Sequence, residues 1–337
     1  MEKLTVTTSE SESEIELSAL KPKKKKFQFR KWDIVKNGQY YVLALPAIII
    51  FFLFAYLPLP GILLAFKQYT VTGGIFGSPW VGFSNFKAFF TGADVARITR
   101  NILMINAGNI VLGTFCSVFA AILINELFSL KAQKIYQNIL FLPTFFSALL
   151  VSKFFNLMLN NDYGIINSVL KASGLDPVMW YDEPWYWPSI IVIANIWKGL
   201  GRGLIIYLAS IIAIDESVYE AAKIDGASRK QQIFRILLPL LKPVIVIQVL
   251  LSIGGIFSGD FLFIYSFLGD NYKLKETLDI VETYLFNNVV SAGGGNSSFV
   301  DYGTSAAISL YQTILGAIVV FTANTIVRVK DKDLALF

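Results

Sequence analysis

Long apolar runs separated by short polar bands organise the chain from residue 40 onward. Six runs stand out: residues 40–66, 101–128, 135–159, 187–214, 241–268 and 304–329. A helix rises about 1.5 Å per residue, so roughly 20 residues cross a hydrocarbon core about 30 Å thick. Every run reaches that length. The pattern predicts six transmembrane helices and an all-α membrane protein. The runs hold Pro46, Pro58, Pro60, Pro143 and many glycines, which membrane helices accommodate better than soluble ones do.

The polar bands then set orientation. Lys131 and Lys134, Lys223 to Lys242, and Arg328 to Lys332 fall on the same side as the basic stretch ahead of the first run, Lys21 to Lys36. The opposite loops are sparser in cations. They carry Asp162, Asp176, Asp182, Glu183, Glu276, Asp279, Glu282 and Asp301. Lysine and arginine favour the cytoplasmic side, so both termini are expected inside. The opposite loops also carry Trp80, Trp180, Trp185, Trp187, Tyr181 and Tyr186. An interfacial aromatic belt is the simpler reading, and a docking or sugar-stacking surface is the functional one. Residues 1–20 are rich in Ser, Thr and Glu without apolar period and read as a disordered tail, not a cleaved leader. Gly293 to Ser298 reads as a flexible loop.

Composition narrows the chemistry. Of 337 residues, 16% are charged, against about 25% in soluble domains. Histidine is absent, which removes the commonest general base and metal ligand. No metal site or catalytic residue is expected. Cys116 is the single cysteine and reads as a structural thiol in an apolar run. The net charge is +5, and the basic cluster Lys21 to Lys36 stands just before the first apolar run, where it is expected to meet lipid head groups rather than nucleic acid.

The stretch between the fourth and fifth runs is the most informative. Tyr219-Glu220-Ala221-Ala222-Lys223-Ile224-Asp225-Gly226 predicts an amphipathic helix closed by a glycine turn. A second short helix follows, with Ile233, Phe234, Ile236 and Leu237. Pro239 and Pro243 are expected to mark the start of the fifth span. Glu220-Ala221-Ala222, Gly226, Ile236 and Leu238-Pro239 together resemble the EAA signature of bacterial ABC importer permeases. Trp80-Val81-Gly82-Phe83-Ser84-Asn85-Phe86 is similar to an outer-loop motif of the maltose-type sugar permeases. With the order of spans, the resemblance covers all but the N-terminal tail. The nearest subgroup in kind is the polysaccharide and lipoprotein-associated permeases.

That resemblance implies a type I ABC importer permease fold in a bacterial cytoplasmic membrane. The loop at 215–242 would then couple to a separate ATPase through Glu220, Ala221, Ala222, Asp225 and Gly226. The chain lacks a G-x-x-x-x-G-K-[ST] phosphate loop, so ATP and Mg²⁺ belong to the partner and this chain binds no cofactor. The partners implied are a second related permease, two ATPase subunits and an extracellular solute-binding protein. The division expected is a basic tail over 1–36, the six-helix domain over 37–330, and a C-terminal tail over 331–337.

Polar groups inside the runs point to a substrate path, since lipid does not tolerate them. Trp197-Lys198-Gly199-Leu200-Gly201-Arg202 resembles a sugar-contacting segment of the maltose permease. Trp197 and Gly199 match, and Arg202 stands where that protein has an aromatic. Phe257 and Phe261 match a second segment in type, while Gly259 and Asp260 replace amides. Thr144 follows Pro143 near a family hydroxyl position. Lys198 and Arg202 would suit a carboxylate on an acidic oligosaccharide, or would pair with Asp260 as a structural ion pair. Competing readings are an ion-gradient-driven transporter, a membrane-embedded enzyme, and an ABC importer permease for another solute. A single well-placed intramembrane acid and the missing histidine count against the first two.

Overall fold

The computed structural model describes residues 38–92, 94–269, 271–294 and 302–336. The basic stretch Lys21 to Lys36, Asp301 and most of the Gly293 to Ser298 loop lie outside these. Among the described residues the fold is helical, with one isolated antiparallel bridge between Lys67 and Trp80.

The described residues form two compact units, one ending at Leu59 and the other beginning at Pro60. In the first, α1 (Gly38–Phe51) is apolar on all sides and buries none of its side chains, as expected of a helix that faces lipid or a membrane partner. A π-turn over Phe52–Tyr56 closes with the Leu57 N–H on the Phe52 carbonyl at 3.0 Å. Pro58 and Pro60 then have no N–H to continue the ladder.

The second unit is built on α2 (Asp94–Asn125) packed along α6 (Trp187–Ile212), with α3 (Leu130–Phe141), α4 (Ala148–Leu159) and α5 (Ile165–Ala172) between them in sequence. Small residues let α2 and α6 approach. A Cβ on Gly108 would lie 2.9 Å from Val192, and one on Gly203 would lie 2.3 Å from the Ser117 hydroxyl. Close backbone packing is what holds helices together where lipid offers no hydrophobic drive. One core gathers Trp187, Phe263, Ile191 and Leu274. A second gathers Leu204, Tyr207, Leu237 and Leu241.

After α7 (Glu216–Ile224) the chain enters α8 (Arg229–Gly254), then α9 (Phe261–Leu268), α10 (Val281–Gly294) and α11 (Tyr302–Lys330). Five helices among the described residues are long and apolar enough to span a membrane, including Gly38–Phe66 counted through its π and 3₁₀ turns. The pair Leu130–Phe145 and Ala148–Leu159 makes a sixth if counted as one span.

Three expectations are corrected. The third span is not one straight helix over 135–159: it bends by 100° between Phe145 and Ala148. Pro143 tightens the chain into a 3₁₀ turn, and Ser147, extended, caps α4 by accepting the Leu150 N–H. The helix that carries the fifth span begins at Arg229, so Pro239 and Pro243 lie inside that helix instead of starting it. A π-turn over Ile233–Leu237 widens the helix just ahead of Pro239, whose ring and missing N–H an ordinary turn would not accept. That span also ends at Gly254, not 268. Finally, Trp187 is no belt residue. It is fully buried, and its indole N–H donates to the Trp180 carbonyl at 2.7 Å.

Candidate functional site

Two regions concentrate the polar chemistry. The first is the turn from α7 into α8. Asp215 caps α7, accepting the Ser217 backbone N–H at 2.9 Å, and that bond holds its carboxyl below the usual range. Gly226 ends the helix at φ +75°, a conformation that disfavours any side chain. Ser228 and Gln231 form a capping box that starts α8. Glu220, Ala221, Asp225 and Gly226 are exposed, and Ala222 is buried against the body. Val218, Ile224 and Phe234 are exposed around them. Behind α7 lies a pocket of about 290 Å³ lined by Glu126, Tyr219, Arg229 and Gln232. The Tyr219 hydroxyl is buried there without a partner among the described residues, and burial pushes its pKa up.

The second region lies along α2, α6 and α8. A pocket of about 510 Å³ is lined by Asn109, Asn195, Gly199, Arg202, Gln248 and Ser252. Arg202 is exposed, and no carboxylate pairs with it among the described residues. Asn109 Oδ1 is buried and has no partner there.

The residues singled out from sequence therefore separate. Gly199 and Arg202 share this pocket. Trp197 turns to α4, stacked on Phe154 at 5.6 Å between ring centroids. Thr144 donates to the Lys198 carbonyl at 3.0 Å, fastening the α3–α4 bend to α6. Lys198 Nζ sits 5.5 Å from the Phe263 ring centroid. Phe257 lines a different cavity of about 320 Å³, with Gln312 and Gly316. Gly259 packs on Ile280 and Glu282. Asp260 caps α9 through the Phe263 N–H at 3.0 Å. The alternative ion pair with Lys198 or Arg202 does not form.

Asn109, Asn195, Gln248 and Ser252 escaped the sequence reading. Their signal was present: amides and a hydroxyl inside apolar runs, where each needs a partner or water. No motif drew attention to them, because they lie on three separate helices.

Residues 109–329 match the family described as binding-protein-dependent transport system inner membrane component. Protein LplB of Bacillus subtilis (strain 168) is 32% identical over 88% of this chain and 91% of its own. The polygalacturonan/rhamnogalacturonan transport system permease protein YteP of the same organism is 32% identical over 88% of this chain and 89% of its own. A chain from the crystal structure of a bacterial alginate ABC transporter, in complex with alginate pentasaccharide-bound periplasmic protein, superposes with a TM-score of 0.78. It is 30% identical, with 89% of this chain and 97% of that one covered. A family match over more than half the chain, two relatives along nearly its whole length and a shared fold converge. This chain belongs to the inner membrane components of binding-protein-dependent transport systems and is the permease of an ABC importer.

Proposed function

We propose that this permease carries an acidic oligosaccharide, with Arg202 and the amides of Asn109, Asn195 and Gln248 forming its part of the path. The observation that carries this reading is Arg202 itself. It is a cation without a carboxylate partner among the described residues, on the wall of a polar pocket between apolar helices. An arginine fork binds a carboxylate through paired hydrogen bonds, and the amides offer donors and acceptors to hydroxyls. Similarity to an alginate transporter and to a polygalacturonan/rhamnogalacturonan permease supports the substrate class. Trp197, Lys198, Thr144, Phe257, Gly259 and Asp260 then support the walls of the path from behind.

In this reading the exposed face of α7 docks on a separate ATPase. Glu220 fixes register against a basic group, Ala221 allows close approach, and Val218, Ile224 and Phe234 supply apolar contact. The ATPase uses ATP and Mg²⁺, and this chain holds neither. A second related permease completes the membrane unit, two ATPase copies drive it, and an extracellular binding protein delivers the cargo. Both termini lie in the cytoplasm by the distribution of lysine and arginine. The basic tail over 1–36 and the short tail over 331–337 flank a permease domain over 37–330.

The test is to purify the protein from its native membrane with whatever accompanies it and to measure ATP hydrolysis with uronate and neutral oligosaccharides. Recovery of a second permease and an ATPase, with hydrolysis stimulated by uronate oligomers, is the expected result. A chain that purifies alone and moves solute without ATP overturns the reading.

A further inference from the structure

The chain leaves its helical ladder between Gly254 and Phe261, at the end of a membrane span. Backbone polar groups at such a place need partners from within the protein. Part of the need is met locally: the Gly255, Ile256 and Ser258 N–H groups bond Ser252, Ile253 and Gly255 carbonyls at 3.1, 3.1 and 2.9 Å. Four further groups are met by side chains from three other helices. Asn106 on α2 donates to the Ile256 and Ser258 carbonyls at 2.8 and 3.0 Å. Gln312 on α11 donates to the Phe257 carbonyl. Glu282 on α10 accepts the Gly259 N–H at 2.9 Å and the Gln312 amide at 2.9 Å on the same Oε1.

Two details distinguish this from an incidental kink. Glu282 Oε2 is buried with no partner among the described residues, a costly arrangement for a carboxylate whose two bonds both fall on its other oxygen. Gly259 approaches so closely that a Cβ would stand 2.3 Å from Ile280 Cδ1 and 3.1 Å from Glu282 Oε2. The same α2 that supplies Asn106 is followed by Glu126, which pairs with Arg229 at the start of α8. So α2 holds the break through Asn106, and Glu126 just past its end holds the Arg229–Gly254 helix at its first residue.

We propose that Asn106, Glu282 and Gln312 are positioning residues that hold the break at 255–260 in one conformation, and that this hold sets how much cargo moves for each ATP spent. A rigid span joined to a held break passes displacement at α7 on to the membrane interior. A span joined to a loose break dissipates it. The inference rests on the importer activity and deepens the path reading.

The experiment uses the assembled importer in proteoliposomes, with amide hydrogen exchange and with ATP and uronate-oligosaccharide uptake counted together. Glu282→Ala is expected to speed exchange at the Gly259 amide about tenfold or more and to leave α8 protected. Cargo moved per ATP is expected to fall about tenfold while basal hydrolysis stays within about twofold. Glu282→Gln keeps an acceptor oxygen and is expected to restore both readings to within about threefold. Unchanged exchange at Gly259, unchanged cargo per ATP, or a Gln variant as defective as the Ala variant overturns the proposal. If Glu282→Ala does not assemble, Gln312→Ala is read the same way for cargo per ATP, and no loss there also overturns it. Equal loss of acidic and neutral cargo in Arg202→Leu would instead remove the path reading and leave the clamp standing.

Discussion

Arg229 Nε lies 3.0 Å from Glu126 Oε2, joining the first residue of α8 to the chain just past α2. Both side chains are partly exposed, so the bond itself contributes modestly, about 0.2–1 kcal/mol. Its value is geometric. Arg229 also donates to the Gln232 side chain at 2.9 Å, and Gln232 donates to the Ala227 carbonyl at 3.0 Å. The turn after α7 is thereby fastened to the membrane helices at one point. Glu126→Gln combined with Arg229→Gln in a double-mutant cycle is expected to give a coupling free energy below about 1 kcal/mol in thermal unfolding, with a larger relative loss in uptake. A loss of uptake that merely tracks stability would sink the geometric role.

Gly226 sits at φ +75° between α7 and α8. Valine there strains the backbone by about 1–2 kcal/mol and tilts the exposed helix face. Gly226→Val and Glu220→Lys are each expected to leave membrane insertion intact and to abolish ATP-driven uptake. Normal transport by both variants, measured in membrane vesicles, would refute docking through this face.

Arg202 has no carboxylate partner among the described residues. Arg202→Leu therefore breaks no ion pair, and its effect on stability should be under about 0.5 kcal/mol. Uptake of uronate oligomers is expected to fall about tenfold or more, with neutral oligomers much less affected. Competition assays with the two cargo classes decide between them.

At the other end of α2, Arg97 bonds Asp279 at 3.1 Å, Asp94 at 2.6 Å and the Lys275 carbonyl at 3.0 Å. Burial raises the Asp279 pKa above its ordinary 3.8, although Thr283, Arg97 and Lys275 oppose the shift. The folded protein therefore binds the proton more readily than the unfolded chain. This group's contribution is most favourable below the unfolded value and diminishes as pH rises through the raised folded value. Asp279→Asn, which keeps an acceptor oxygen, is expected to flatten that part of the stability profile. Arg97→Leu leaves a buried carboxylate unpaired and is expected to cost about 3 kcal/mol. Thermal unfolding across mildly acidic to neutral pH checks both, and an unchanged profile in Asp279→Asn would refute the assignment.

Much of the architecture was legible in the linear pattern. Run length is set by membrane thickness, so four of the predicted spans match helices within a few residues at most ends. The α7 helix and its Gly226 turn followed from local rules, because an amphipathic period and a glycine at positive φ act within a few residues. Composition set the expectation about chemistry, since a chain without histidine has few routes to acid–base or metal catalysis.

Tertiary structure decided the rest. Hydropathy sees the third run as continuous, but Pro143 and Ser147 bend it by 100°, and Thr144 anchors the bend to the Lys198 carbonyl. The fifth run likewise reads through Gly254 to Leu268, whereas the break at 255–260 is held by Asn106, Glu282 and Gln312, as many as 152 residues away in sequence. The proposed path divides in the same way. Trp197 and Arg202 are five positions apart, and on one helix they face opposite neighbours, Phe154 and the polar pocket. Local propensity and membrane thickness act along the chain, so the sequence alone carries them. Which amide meets which carbonyl across helices depends on packing, which the order of residues does not display.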